Sequence, residues 1–203
     1  MADGTLRKLL ITVIALLPIT HPSAAQDVAD GGDAMVAKTY NVAEAYQVYS
    51  ALLPDEWPRL IPAQTLMISD KTSTYGMCLQ PEPESSKVLG TAIADYVATN
   101  KRSRTLQRSF QIDKPYELIP EQDLHLTSNA ADGWSTFYKR HPNAGGWIEL
   151  SAVGFNNEKT VAIVYVARHC GVRCGGGGFH VLQKHDGKWV RLEWKGVSCF
   201  WQS

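Results

Sequence analysis

The stretch HCGVRCGGGGFH, His169 to His180, gathers two histidines, two cysteines and five of the chain's 16 glycines into twelve residues. Three chemistries use such residues. A zinc centre takes His169, Cys170, Cys174 and His180 as ligand types, with glycines letting the loop fold around the ion. Adjacent His169 and Cys170, however, point to opposite faces of any extended strand. A thiol nucleophile needs a lowered pKa, a base and a group that orients the base. Cys170 or Cys174 with His180 and Glu193 would supply these, but no recognisable catalytic signature surrounds them. The third chemistry is oxidative: four cysteines, Cys78, Cys170, Cys174 and Cys199, form two disulfides in an oxidising compartment, with three connectivities open.

Compartment decides between them. Arg7 and Lys8 lead into LLITVIALLPIT, an apolar run too short to span a bilayer comfortably, and HPSAA follows with Ser23 and Ala25 at the small-residue positions of a cleavage site. Residues 1–25 therefore read as a secretory signal peptide, which places the mature chain in the periplasm or outside the cell. Loss of Arg7, Lys8 and Asp3 turns an even balance of 20 basic and 20 acidic residues into a net charge near −1. That balance favours neither nucleic acid nor an anionic membrane as partner. Residues 26–37 are acidic, glycine-containing and aperiodic, a flexible lead, and residues 38–203 suit a single domain. In this setting a Cys170–Cys174 clip and a Cys78–Cys199 tie are the preferred pairing. The long tie would contribute about 3 to 5 kcal/mol if unstrained. Crossed pairing, Cys170 with Cys199 and Cys78 with Cys174, remains open.

The elements that must position these residues follow from periodicity. NVAEAYQVYSALLP predicts a helix with Asn41 as N-cap, Glu44 completing a capping-box variant, and Pro54 as its stop. AQTLMISDKTS predicts a short strand. PEPESSKVLGTAIADYVATNKR predicts a second helix, capped by Ser85 or Ser86, with Leu89, Ile93, Tyr96 and Val97 on one face and Lys101 and Arg102 at its negative end. DGWSTFYKRHP predicts a short helix capped by Asp132, while residues 103–131 carry no clear pattern.

GWIELSAVGF, KTVAIVYVARH, GFHVLQKH and GKWVRLEW then read as four strands of an antiparallel meander. The second is apolar on both faces, hence interior. Asp186 and Gly187 make a two-residue hairpin turn, which pairs His185 with Lys188, Lys184 with Trp189, Gln183 with Val190, Leu182 with Arg191 and Val181 with Leu192. Phe179, Val181, Val190, Leu192 and Trp194 then face the core. His180, Glu193, Arg191 and Lys184 share the polar face. With His169, the residues His180, Glu193 and Arg191 are the candidate binding residues. Gly171 and Gly175 to Gly178 read as turn formers able to take positive φ.

Other motifs carry less. The glycine run lacks the lysine and hydroxyl residue of a phosphate loop. Lys139, Arg140 and His141 offer an anion contact, against the simpler reading of a solvated helix end. Trp134, Trp147, Trp189, Trp194 and Trp201 offer a sugar-binding face, against ordinary packing.

Residues 137–190, with VGFN, the glycine-flanked cysteine pair and DGKW, resemble a family of uncharacterised exported bacterial proteins with a helical N-terminal half and this meander at the C-terminal end. The resemblance implies compartment and fold class and no activity. The expectation is an α+β protein, N-terminal helices packed on a C-terminal antiparallel meander of about four strands. It would act as an exported, disulfide-stabilised binding or accessory module for a small molecule or protein, without catalytic residues, metal or cofactor. The alternative is a zinc-dependent or Cys/His-dependent hydrolase built on residues 169–180.

Overall fold

The computed structural model describes residues 38–56, 63–76, 79, 83–193 and 200–203. The segments expected as a signal peptide (1–25) and lead (26–37) lie outside the described residues, as do Cys78, Trp194, Cys199 and the side chains of Ser85 and Ser86. The α+β class holds, but the sheet is larger than four strands and mixed. Its described part has eight strands in the order β2-β1-β3-β5-β6-β7, with β4 added to β5 and β8 added to β6. These are β1 (Thr65–Ser73), β2 (Tyr116–Ile119), β3 (Ala144–Ser151), β4 (Gly154–Phe155), β5 (Val161–Gly171), β6 (Cys174–His185), β7 (Lys188–Leu192) and β8 (Trp201–Gln202). β1 runs parallel to both β2 and β3, and every other pairing is antiparallel.

The helices are α1 (Ala43–Glu56), α2 (Pro83–Thr99), α3 (Glu121–Asn129) and α4 (Gly133–Arg140). They are interleaved with strands rather than confined to the N-terminal half, because parallel neighbours such as β1 and β2 need crossovers between them. The uncommitted span 103–131 turns out to hold β2 and α3.

Strand alternation sends the helices to both faces of the sheet. Tyr46, Tyr49, Leu52 and Leu53 of α1 pack with Ile68, Ile148, Leu150, Ala162, Val164, Val166 and Leu182. On the opposite face Leu89, Ala92 and Tyr96 of α2 meet Ile163, Tyr165, Ala167 and Val181. Leu124 of α3 and Phe137 of α4 close over Met67, Ile119 and Trp147 on that same side. The doubly apolar pattern of β5 is thus the pattern of a strand covered twice. Val97, expected on the apolar face of α2, is exposed instead.

The predicted hairpin register is found from His185↔Lys188 to Val181↔Leu192. Its polar face is not open, however: α1 lies over it, and Trp189 is buried there. The helix reaches that far because Pro54 does not stop it. Pro54 sits inside the last turn, and the helix continues two residues to Glu56. A proline costs a helix the hydrogen bond to the carbonyl four residues back, and near an end little of the helix remains to be broken. Glu44 makes no capping box. Its carboxylate accepts from Lys184 Nζ at 2.6 Å and Trp189 Nε1 at 2.8 Å, so it anchors the start of α1 to the hairpin.

The glycine run is also different from expectation. Gly175 to Gly178 lie in the extended strand β6, and the positive-φ glycines among the described residues are Gly146 and Gly187. No helix of the described residues is long and apolar enough to cross a membrane.

Candidate functional site

Strand parity decides what the His169–His180 stretch can do. Cys170 and Cys174 are joined as a disulfide, with Cα atoms 5.0 Å apart, closing the turn between β5 and β6. Neither sulfur is therefore a thiolate for zinc or for attack on a substrate. The crossed pairing through Cys199 and Cys78 is excluded at the same time. His169 pairs with Gly175 and His180 with Val164, which puts the two imidazoles on opposite faces of the sheet. Among the described residues no group of three or more His, Cys, Asp and Glu is placed to hold a metal ion. The alternative of a Cys-dependent hydrolase built on residues 169–180 therefore has no free thiol there.

On the α1 face a different constellation forms. Arg168 of β5, His180 of β6 and Arg191 of β7 lie on neighbouring strands on that face, and Glu56 comes down on them from the last turn of α1. Glu56 Oε1 lies 3.2 Å from Arg191 Nη1 and 4.0 Å from His180 Nε2. Its Oε2 lies 3.7 Å from Arg168 Nε. The carboxylate is buried, 2% exposed as a residue, while the arginine side chains keep 21% and 30% of their surface. Two guanidiniums thus face one carboxylate, and their unburied surfaces open outward.

A hollow of about 120 Å³ lies above these groups, with Gly176 and Gly178 among its lining and Phe200 at its rim. Gly176 and Gly178 pair with Arg168 and Val166 on β5. Side chains at those two positions would occupy the face where the arginines lie, so their absence is what keeps the hollow open.

Of the four candidate binding residues, the fold brings His180 and Arg191 together. Glu193 is exposed one residue beyond β7, and Glu56 takes the place beside His180 that sequence pairing had given to it. His169 lies on the far face, stacked 5.2 Å from Trp147 and 3.4 Å from Glu149 Oε1. Burial acts to raise the Glu149 carboxyl pKa, but its contacts with His169 and Trp147 outweigh burial and hold the group below its ordinary value. Lys139 and Arg140 are exposed at the end of α4, a solvated helix terminus. Trp134 and Trp147 stack in the core and Trp189 is buried under α1, so these three form no shared sugar platform.

Sequence reasoning missed Glu56 and Arg168, although each carried a signal. Glu56 falls three and four residues after Leu53 and Leu52, on the stripe where an apolar residue is expected. Arg168 follows Val164 and Val166 at strand spacing, a charge ending an apolar face. Comparison with protein-family models, curated proteins and solved structures found no match.

Proposed function

We propose that this is an exported accessory protein that binds a small carboxylate or phosphate at Arg168, His180 and Arg191. The observation that carries the reading is the convergence of two guanidiniums on one buried carboxylate, Glu56, beneath an open hollow. Removing one partner from a buried ion pair is costly, so Glu56 holds the arginines in place. Both arginines keep accessible surface and line the hollow, where a planar guanidinium suits the paired oxygens of carboxylate or phosphate. Export is supported by the basic-then-apolar leader and by a disulfide of the kind that persists outside reducing compartments.

The test is calorimetric titration of the purified chain with inorganic phosphate, acetate and succinate in separate runs. Saturable binding of at least one is expected, weakened tenfold or more by Arg191→Ala, the loss of one charge-assisted contact. Absence of binding to all three, or affinity indifferent to Arg191→Ala, overturns the reading.

A further inference from the structure

A second cavity lies on the opposite face of the sheet. It has a volume of about 220 Å³ and sits beside the carboxyl half of β1, between β3 and α3. Six of its twelve lining residues are serines or threonines.

The hydroxyls of this wall are already half used, and in complementary ways. Ser69 accepts a hydrogen bond from the Lys71 backbone N–H at 3.2 Å, and Ser73 accepts one from Tyr75 N–H at 3.3 Å. Their own protons remain to be donated. Ser103 donates to the Thr72 carbonyl and Ser128 to the Leu124 carbonyl. Their lone pairs remain to accept. Lys71 Nζ donates one proton to Thr105 Oγ1 and has two more. Glu149, paired with His169, is an acceptor with two oxygens.

Trp147 adds the decisive feature. It is 1% exposed, and its buried indole Nε1 completes no well-formed hydrogen bond within the chain, interacting only loosely with the Glu149 carboxylate whose pKa it helps lower. Its two ring faces are covered by Trp134, 4.6 Å away and near-parallel, and by His169. Only its edge can meet the cavity, so it offers a donor rather than a stacking platform. A buried donor left wholly unsatisfied costs about 1 to 3 kcal/mol, and an acceptor arriving with a ligand would recover the part of it that the loose Glu149 contact does not.

Charge narrows the ligand further. The wall's lysine faces two carboxylates, Glu149 held by His169 and Glu121 3.9 Å from His125 Nε2. An anion therefore meets no excess of positive charge here. Groups that both donate and accept, carried on an uncharged body, match every residual valence of this wall. We infer that the cavity lined by Ser69, Lys71, Ser103, Ser128, Trp147 and Glu149 is a binding site for a neutral monosaccharide. The hexose is held through its hydroxyls, with Glu149 accepting from adjacent hydroxyls and the Trp147 N–H donating to an oxygen.

The test titrates the full chain separately with D-glucose, D-galactose and D-mannose, following heat and the assigned indole N–H resonance of Trp147. Saturable binding of at least one is expected, with the Trp147 resonance displaced. Glu149→Gln should weaken it tenfold or more. Ser128→Trp fills the cavity from the exposed side of α3, leaves the core untouched, and should abolish binding even if Glu149→Gln impairs folding. Arg191→Ala should leave it unchanged, which separates this site from the anion site. Failure of all three sugars to bind, or binding that Ser128→Trp leaves intact, overturns the inference.

Discussion

Glu149 carries an acid-sensitive contribution to the fold that can be assigned a sign. Its pKa is lowered from 4.5, with the His169 contact overcoming the effect of burial. A carboxylate whose folded pKa lies below its unfolded one stabilises the native state above the unfolded value. That contribution disappears as pH falls through the folded value. Glu44, lowered by Lys184 and Trp189 against its own desolvation, acts with the same sign at the other side of the sheet. Thermal unfolding followed from pH 7 downward should therefore show stability falling from around pH 4.5. Glu149→Gln should have a shallower acid limb, because one of the carboxylates with a lowered pKa is then removed. An acid limb identical in the variant would mean that the His169 contact gives Glu149 no net preference for its charged form. Residue identity also marks the limit of what one sequence reveals. His180 and Arg191 were visible because a two-residue turn dictates which strand positions share a face. Glu56 was not, since its partners are more than a hundred residues away and Pro54 pointed to an earlier helix end.

At the scale of elements, β6 is the informative case. Its glycines looked like turn residues because four in a row have high backbone freedom. The fold uses them for the volume they do not occupy. A Cβ on Gly177 would lie 2.6 Å from Trp201 Nε1, 2.7 Å from the Tyr165 hydroxyl and 3.0 Å from the Val166 carbonyl. Trp201 and Tyr165 are themselves joined by a 2.6 Å hydrogen bond, so neither can move without losing it. Gly177→Ala should destabilise by about 1 to 3 kcal/mol, an overpacking cost. Gly90, within α2, has nothing within 4 Å of such a Cβ, and Gly90→Ala should instead stabilise by up to about 1 kcal/mol. Denaturant midpoints of the two variants should move in opposite directions. If both move alike, close approach at Gly177 is not what requires glycine. The same contrast explains which elements were readable. Periodicity within about fifteen residues revealed α1, α2, α4 and the β6–β7 hairpin. Parallel pairing of β1 with β2 and β3 leaves no local turn signal, because its partners are brought together by crossovers.

For the molecule as a whole, the disulfide is a clip at one end of the central β5–β6 pair, and its removal tests how locally the fold is divided. The loop it closes is short, so constraint of the unfolded chain gives about 2 kcal/mol, less than a long-range tie would give. The pair it clips runs in register from Val161↔Gln183 to His169↔Gly175 and is covered by helices on both faces. That packing does not depend on the bond. The double variant Cys170→Ser, Cys174→Ser should therefore fold with an unfolding free energy lower by about 2 kcal/mol. Hydrogen exchange should quicken from Arg168 to Gly177, the segment nearest the tip, while α1 and β1 keep their protection. Arg168 and His169 begin that segment and point to opposite faces, one toward Glu56 and the other toward Glu149. Loosening the tip should thus weaken anion and sugar binding together, even though neither ligand touches a sulfur. Exchange that quickens equally in α1 would show instead that the clip supports the whole core. Unchanged exchange at the tip would show that strand pairing alone holds both sites.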